Sequence, residues 1–485
     1  MSNEREQAPG LAVVILAAGK GTRLNSKRPK VLHEIGGRPL VAHVIAAASR
    51  IVAPEHIYVV IGHEAGRVRA ALAPGGVRFV EQAEQRGTGH AIQCARDAIS
   101  GYASVLVLSG DVPLIRPETI ERMLSFHRAE QAAMTILSAQ PEDPAGYGRI
   151  MRKAPGSPEV EAIVEQKSLA AGQAEIREIN SGIYAFQTAP LLAHMDKLTA
   201  NNPHSELYLT DMAGILRAAG ERVVAIEAPE AAEVLGANTI AELVALDGAL
   251  RTATAQRLMA AGVTILRPET SMIDAEVEIG ADTVIEPFVQ LRGQTRIGSD
   301  CSVRSFSVIE NCTLGEGVEI LPGCMLESSS VRDGARIGPY SHLRPGCDVG
   351  EKAHIGNFVE LKKTRLGKGS KANHLAYLGD SEIGEGSNIG AGAITCNYDG
   401  ASKFMTRIGN NVFVGSDSTL VAPITLGDGS YIGAGSCITE DVPADALAIG
   451  RARQVTKEGW AAERRAKRAA TKSAAPQPPV DDTCK

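Results

Sequence analysis

The chain has 485 residues, 44% hydrophobic and 4% aromatic, with 50 basic against 56 acidic side chains and a net charge of −6. That length exceeds one ordinary domain, so two or three are expected; the mildly acidic balance argues against nucleic acid or an anionic membrane surface as a partner. No run of 18 apolar residues exists to span a membrane as a helix, and eight cysteines with no CxxC pair or zinc spacing read as reduced thiols in a cytoplasmic protein.

From Leu11 the apolar run LAVVILAAG reads as a buried strand rather than a signal segment, because a glycine loop, GKGTRL, follows it directly. Helix-like and strand-like segments then alternate: VAHVIAAAS, IYVVIG, HAIQCARDAI, SVLVLSGD. That alternation predicts a parallel, doubly wound α/β sheet, in which ligands bind at the carboxyl ends of the strands. The loop Gly19-Lys20-Gly21-Thr22-Arg23-Leu24 has Leu24 where a dinucleotide fingerprint needs its third glycine, and it is no Walker A loop. It offers backbone N–H groups to anionic oxygens, with Lys20, Arg23 and the later Lys30 to neutralise charge.

In the full form LAAGKGTRLxxxxxPKxL, the segment resembles the signature of sugar-phosphate nucleotidyltransferases. The resemblance implies a nucleotide cradle of Leu16, Ala17, Ala18 and Gly19, with Arg23 and Lys30 as catalytic cations. Ser109, Gly110 and Asp111 close the strand SVLVLSGD, where Asp111 would hold a divalent metal together with Asn238 of EVLGANT. Gln82, Gly87 and Thr88 in EQAEQRGTGHA would read the base, and Gly148, Glu165 and Asn180 would contact the sugar. The implied reaction is attack by a sugar 1-phosphate oxygen on the α-phosphorus of a nucleoside triphosphate. It needs positioning and charge compensation, with Mg²⁺ as the cofactor, rather than a general base.

Helical spacing without proline over TIAELVALDGALRTATAQRLMAAG predicts a linker helix at 240–261, separating two chemistries rather than building a site. Beyond it, between Ile279 and Ile438, an aliphatic residue followed by glycine recurs every six residues: IGPYSHL, VGEKAHIGNFVEL, IGEGSNIGAGAI, IGNNVFVGSDSTL, LGDGSYIGAGSCI. Each aliphatic side chain would enter an inner column and each glycine would make a turn, giving a parallel β-helix of hexapeptide repeats. At 18 residues per coil, the 189 residues from Gly262 to Gly450 make about ten coils.

Three polar stretches interrupt the aliphatic rhythm: LRPG, NFVELKKTRLGKGSKANHLAYLGD and GAGAITCNYDGASKF. The last departs from the period, as a projecting loop would. With both halves in this order, residues 10 to 460 resemble the family of bacterial bifunctional N-acetylglucosamine-1-phosphate uridylyltransferases/glucosamine-1-phosphate N-acetyltransferases. The resemblance implies an N-terminal Rossmann-like uridylyltransferase domain (1–239) and a C-terminal left-handed parallel β-helix acetyltransferase domain (262–458). His374 would be the base that deprotonates the glucosamine amine, with Glu360 as the residue that orients its ring. Arg344, Lys362, Tyr377 and Asn388 would hold the sugar phosphate. Ala391, Asn397, Tyr398, Ser416, Ala434 and Arg451 would line the acetyl-CoA channel.

The substrates implied are glucosamine 1-phosphate, acetyl-CoA, UTP and N-acetylglucosamine 1-phosphate, and the product would supply peptidoglycan and lipopolysaccharide precursors. A homotrimer is implied as well, with no nucleic-acid partner and no membrane insertion. Counted from Arg451, nine basic against four acidic residues and a Pro-rich end read as a frayed helix followed by disorder, so 459–485 is expected to be a disordered tail. Two alternatives compete with this reading: an ADP-glucose or dTDP-glucose pyrophosphorylase whose β-helix only regulates and assembles, and a non-catalytic scaffold. The constellation from His374 to Tyr398 speaks against the first, and the intact Arg23, Lys30, Asp111 and Asn238 speak against the second.

Overall fold

The computed structural model describes residues 10–170, 172–202 and 205–474. The chain forms two compact units, Met1–Gly317 and Val318–Lys485.

The first unit is built on a sheet with strand order Val223–Glu227, Met134–Ala139, Ile179–Gln187, Ser104–Ser109, Leu11–Leu16, Ile57–Ile61, Arg78–Glu81. Side chains of the first strand alternate between two apolar layers: Val13 and Ile15 join one core, Ala12 and Val14 the other, as a strand covered on both faces requires. The chain runs outward from Leu11–Leu16 through Ile57–Ile61 to Arg78–Glu81, then returns to pair Ser104–Ser109 on the other side of the first strand. Strand order therefore reverses between Leu11–Leu16 and Ser104–Ser109, the position at which open α/β sheets form a crevice. The expectation of a parallel sheet needs one correction, since Ile179–Gln187 runs antiparallel to both neighbours. It is reached through the hairpin Arg149–Arg152/Val160–Val164 instead of a crossover helix, so the chain re-enters in the opposite sense.

The linker helix, Ile240–Ala260, starts at a capping box between Thr239 and Glu242. It is no bare spacer. Leu246 packs with Ile35, Leu40 and Ala237, and Arg251 bridges Asp247 (2.8 Å) and the buried Asp274 of the first coil (2.9 Å). Packed in this way, the helix stays within the first unit, and the division between units falls among the coils instead.

In the second unit short strands stack in parallel at intervals of mostly 17 or 18 residues, as in Ile337↔Ile355, Leu343↔Leu361↔Leu378 and Ile389↔Val414↔Ile432. All of these aliphatic side chains are buried. The glycine before each turn is required by contact, because a Cβ on Gly367 would lie 2.5 Å from the carbonyl of Gly384 in the next coil. Trp460–Ala474 is helical, which agrees with the helix read at the start of the tail and not with disorder over the whole of 459–485. Its Ala, Arg, Lys and Glu residues favour a helix even where it is exposed, and residues 475–485 lie outside the described residues.

Candidate active sites

At the switch point of the first unit lies a cavity of about 630 Å³. The loop after the first strand (Leu16, Ala17, Ala18, Gly19) forms one wall, Gln82, Gly87 and Thr88 form a second, and Ser109, Asp111 and Lys30 complete it. Gly110 lies beside this wall, its N–H bonded to the Leu16 carbonyl at 2.9 Å, where a Cβ would fall 2.9 Å from that same oxygen. Lys20 and Glu206 also line the cavity; Glu206 carries no motif that would have marked it.

Four residues distant in sequence meet at its edge. The Lys30 ammonium pairs with Asp111 Oδ2 and donates to Asn238 Oδ1 at 2.9 Å, while Arg23 Nη2 donates to the same Asn238 oxygen at 2.8 Å. A positive charge thus already sits between a carboxylate and an amide oxygen, a hard-donor pair that fits Mg²⁺. No group of three His, Cys, Asp or Glu able to hold a metal occurs among the described residues; Mg²⁺ on such a pair would take its remaining ligands from water and phosphate. Asn238 itself is held by the linker helix, because Glu242 Oε2 accepts its backbone N–H at 2.6 Å. The helix expected only to separate two chemistries therefore positions a residue of this candidate site.

Gly148, Glu165 and Asn180 form a neighbouring group outside the cavity lining. The Asn180 N–H donates to the Gly148 carbonyl at 2.9 Å, and its side-chain amide donates to the Tyr184 hydroxyl at 2.9 Å. Glu165 accepts from Thr210 Oγ1 at 3.2 Å. Burial raises the Glu165 carboxyl above its ordinary pKa.

In the second unit the coil period assembles the site. Glu360↔Tyr377 and Lys362↔Gly379 pair across successive coils, and the Arg344 N–H bonds to the Leu361 carbonyl at 2.9 Å, so Arg344, Lys362 and Gly379 stack in one column. The Lys403 ammonium beside Lys362, together with desolvation and Arg344, holds Lys362 below its ordinary lysine pKa. Three cations gathered on one exposed edge suit a phosphate. Lys403 stands in the loop that breaks the period, where the spacing could not assign it a column; Tyr398 and Lys403 bridge across that loop.

His374 is exposed on a cavity of about 280 Å³ that Asn357, His354 and Arg336 also line. Its Nδ1 lies 2.7 Å from Asn357 Oδ1. An amide oxygen only accepts, so the neutral ring carries its hydrogen on Nδ1 and leaves the Nε2 lone pair free. Asn357 corrects the expectation placed on Glu360, whose carboxylate is instead engaged by Arg344 at 3.1 Å. A signal for this was present, since Asn357 is the residue one coil before His374, in register with it.

Tyr377 and Asn397 share the space above Gly379, where a Cβ would meet the Tyr377 hydroxyl at 2.5 Å and Asn397 Nδ2 at 2.7 Å. Asn397 also donates to Asp380 at 2.5 Å, and Asn388 lies in register with Lys371. Ala391, Ser416 and Ala434 fall on successive coils: the Asp417 N–H bonds to the Ala391 carbonyl at 2.7 Å, and the Gly435 N–H to the Ser416 carbonyl at 2.8 Å. A Cβ on Gly435 would lie 3.7 Å from Arg451 Cδ, which brings Arg451 to the same column.

The MobA-like NTP transferase domain family matches residues 13–201, and the bacterial transferase hexapeptide family matches residues 276–311, 328–363 and 405–440. The folds are accordingly a Rossmann-like nucleotidyltransferase sheet and a left-handed parallel β-helix. The chain is 65% identical over 456 residues to the bifunctional protein GlmU of Koribacter versatilis, covering 94% of this chain and 97% of that protein. It is 50% identical over 456 residues to the protein of that name from Solibacter usitatus (94% and 97% covered), and 48% identical over 450 residues to that from Stutzerimonas stutzeri (93% and 98% covered).

Proposed function

The chain belongs to the family of the bifunctional protein GlmU, and from that premise we propose that it makes UDP-N-acetylglucosamine in two steps at two sites. Acetyl-CoA first acetylates glucosamine 1-phosphate in the β-helix; UTP then receives the product in the α/β domain and pyrophosphate leaves. One observation carries the reading: a single chain holds two chemically unlike clusters, with Lys30, Asp111 and Asn238 joined at a sheet switch point and an exposed imidazole with a free Nε2 beside stacked cations.

In acetyl transfer, Arg344, Lys362 and Lys403 hold the phosphate while Tyr377 and Asn388 hold the sugar. His374 Nε2 takes a proton from the attacking amine as nitrogen bonds to the thioester carbonyl carbon. The C–S bond then breaks, and the imidazolium returns the proton to the departing CoA thiolate. Asn357 keeps the ring in the tautomer this step needs. Ala391, Ser416 and Ala434 leave room for the pantetheine arm along the coils; Asn397, Tyr398 and Arg451 complete that channel.

In uridylyl transfer, the phosphate oxygen of N-acetylglucosamine 1-phosphate is already an anion and attacks the α-phosphorus in line. Arg23 and Lys30 offset the charge that spreads over the phosphoryl oxygens. Asp111 and Asn238 are the residues that would hold Mg²⁺, which when bound compensates phosphate charge. The backbone of Ala17, Ala18 and Gly19 cradles the triphosphate, Gln82, Gly87 and Thr88 read uracil, and Gly148, Glu165 and Asn180 orient the sugar.

The active assembly is a homotrimer, the arrangement the hexapeptide repeats suggest, and it works in the cytoplasm; no helix among the described residues is long and apolar enough to cross a membrane. The test is to incubate the protein with glucosamine 1-phosphate, acetyl-CoA, UTP and Mg²⁺ while following free thiol, pyrophosphate and product mass, with other triphosphates and sugar phosphates in parallel. Thiol release and a UDP-N-acetylhexosamine product are expected. Failure to release thiol removes the acetyltransferase assignment, and a product carrying another nucleotide removes the uridine assignment.

A further inference from the structure

The base-reading wall of the nucleotide cavity contains a relay that the functional reading leaves unused. Gln82 is 3% exposed and lines the cavity. Its Nε2 lies 3.0 Å from the Gly87 carbonyl oxygen and 3.1 Å from His90 Nδ1. A carbonyl only accepts, so the group facing Gly87 is the NH₂ and the orientation of the amide follows. The second hydrogen of that NH₂ points to His90 Nδ1, which must then carry the ring's lone pair. The ring hydrogen accordingly sits on Nε2, 3.7 Å from Cys94 Sγ, and burial keeps that thiol protonated by raising its pKa.

Both amide hydrogens of Gln82 are thereby committed inside the wall, while Oε1 takes no hydrogen bond from the described residues. The cavity meets an acceptor and no donor at this position. Turning the amide over would set its oxygen against the Gly87 carbonyl, an acceptor that cannot change role, and would force His90 to move its ring hydrogen to Nδ1. Gly87 cannot move away to relieve this, because its backbone (φ 103) is packed so that a Cβ would lie 2.5 Å from the Leu207 carbonyl oxygen.

We propose that His90 is a specificity-determining residue, acting through Gln82: together with the Gly87 carbonyl it holds both amide hydrogens so that the site accepts a pyrimidine edge that donates an N–H, as uracil does at N3, and refuses one that accepts there, as cytosine does. His90 is a positioning residue, since the base meets Gln82 and not the imidazole. The inference rests on the uridylyltransferase reading of this cavity. Discrimination of this kind is strong because the wrong base leaves two acceptors facing each other in a dry site.

The test compares His90→Leu with His90→Asn in the full-length protein, reading kcat/KM for UTP and for CTP with N-acetylglucosamine 1-phosphate. Asparagine can place an acceptor where Nδ1 stood; leucine has a similar shape without one. The UTP-to-CTP preference is expected to fall about tenfold in the leucine variant and to stay within about twofold of wild type in the asparagine variant, with acetyl transfer unchanged in both. Equal ratios in the two variants, or an unaltered ratio in His90→Leu beside a discriminating wild type, would overturn the role of His90 alone. A wild-type protein that used CTP as readily as UTP would overturn both this role and the uridine reading.

Discussion

The two candidate sites gather positive charge in opposite ways. In the nucleotide cavity the cations are answered from within: Lys30 reaches Asp111 and Asn238, and Arg23 reaches the same Asn238 oxygen. On the coil edge Lys362 and Lys403 face each other, and their mutual repulsion shows in the lowered Lys362 pKa. The first arrangement is preorganised and partly buried, so ligand phosphates and a divalent ion enter a site already balanced by its own oxygens. The second answers Arg344 with Glu360 and sets Asp380 near Lys362, yet leaves two ammonium groups side by side, a repulsion that a bound phosphate would relieve.

Separating the two chemistries by single substitutions gives the sharpest test. His374→Ala removes the group proposed to take the amine proton, and acetyl transfer should drop about 10²- to 10⁴-fold with pyrophosphate release intact; thiol and pyrophosphate assays on one preparation decide it. Asp111→Ala should do the converse, costing about 10²- to 10³-fold in pyrophosphate release and leaving thiol release unchanged. If either variant lost both activities, the independence of the two regions would fail.

Arg251→Ala probes the fold beneath the first site. It removes the cation shared by Asp247 and the buried Asp274, which keep only the Gly36 and Gly293 N–H groups, and about 2–3 kcal/mol of stability should be lost in chemical denaturation. A change under 1 kcal/mol would mean that the helix is held by its apolar contacts alone. The smallest effect belongs to the exposed edge: Lys403→Met should raise KM for glucosamine 1-phosphate about tenfold while leaving kcat nearly unaltered. Because the repelling ammonium is gone, Lys362 should also titrate at higher pH in that variant, closer to an ordinary lysine. Side-chain NMR reads this directly, and an unmoved Lys362 would remove the repulsion from the account.

These contrasts follow how each site is encoded. Arg344, Lys362 and Gly379 lie one coil apart, so the repeat that places Leu343 over Leu361 also stacks their neighbours, and most of this column can be read along the chain. Asn357 follows the same rule, being in register with His374; the glutamate first credited with orienting that ring lost out because a carboxylate three residues on turns to a different face and finds Arg344. Lys403 escaped notice for the reverse reason, since it lies in the stretch that leaves the period.

The hexapeptide rhythm, the glycine loop and the linker helix were determined by local sequence, because inward aliphatics, tight turns and helical spacing express themselves within a few residues. Tertiary structure alone decided the meeting of Arg23, Lys30, Asp111 and Asn238, of which Arg23 and Asn238 are 215 residues apart and Lys30 and Asn238 208 apart. It also decided which way Gln82 presents its amide and that the linker helix would hold Asn238 by its first turn. No periodicity links these residues; they converge because the sheet reverses its strand order between Leu11–Leu16 and Ser104–Ser109, and the crevice this opens is a property of the assembled topology.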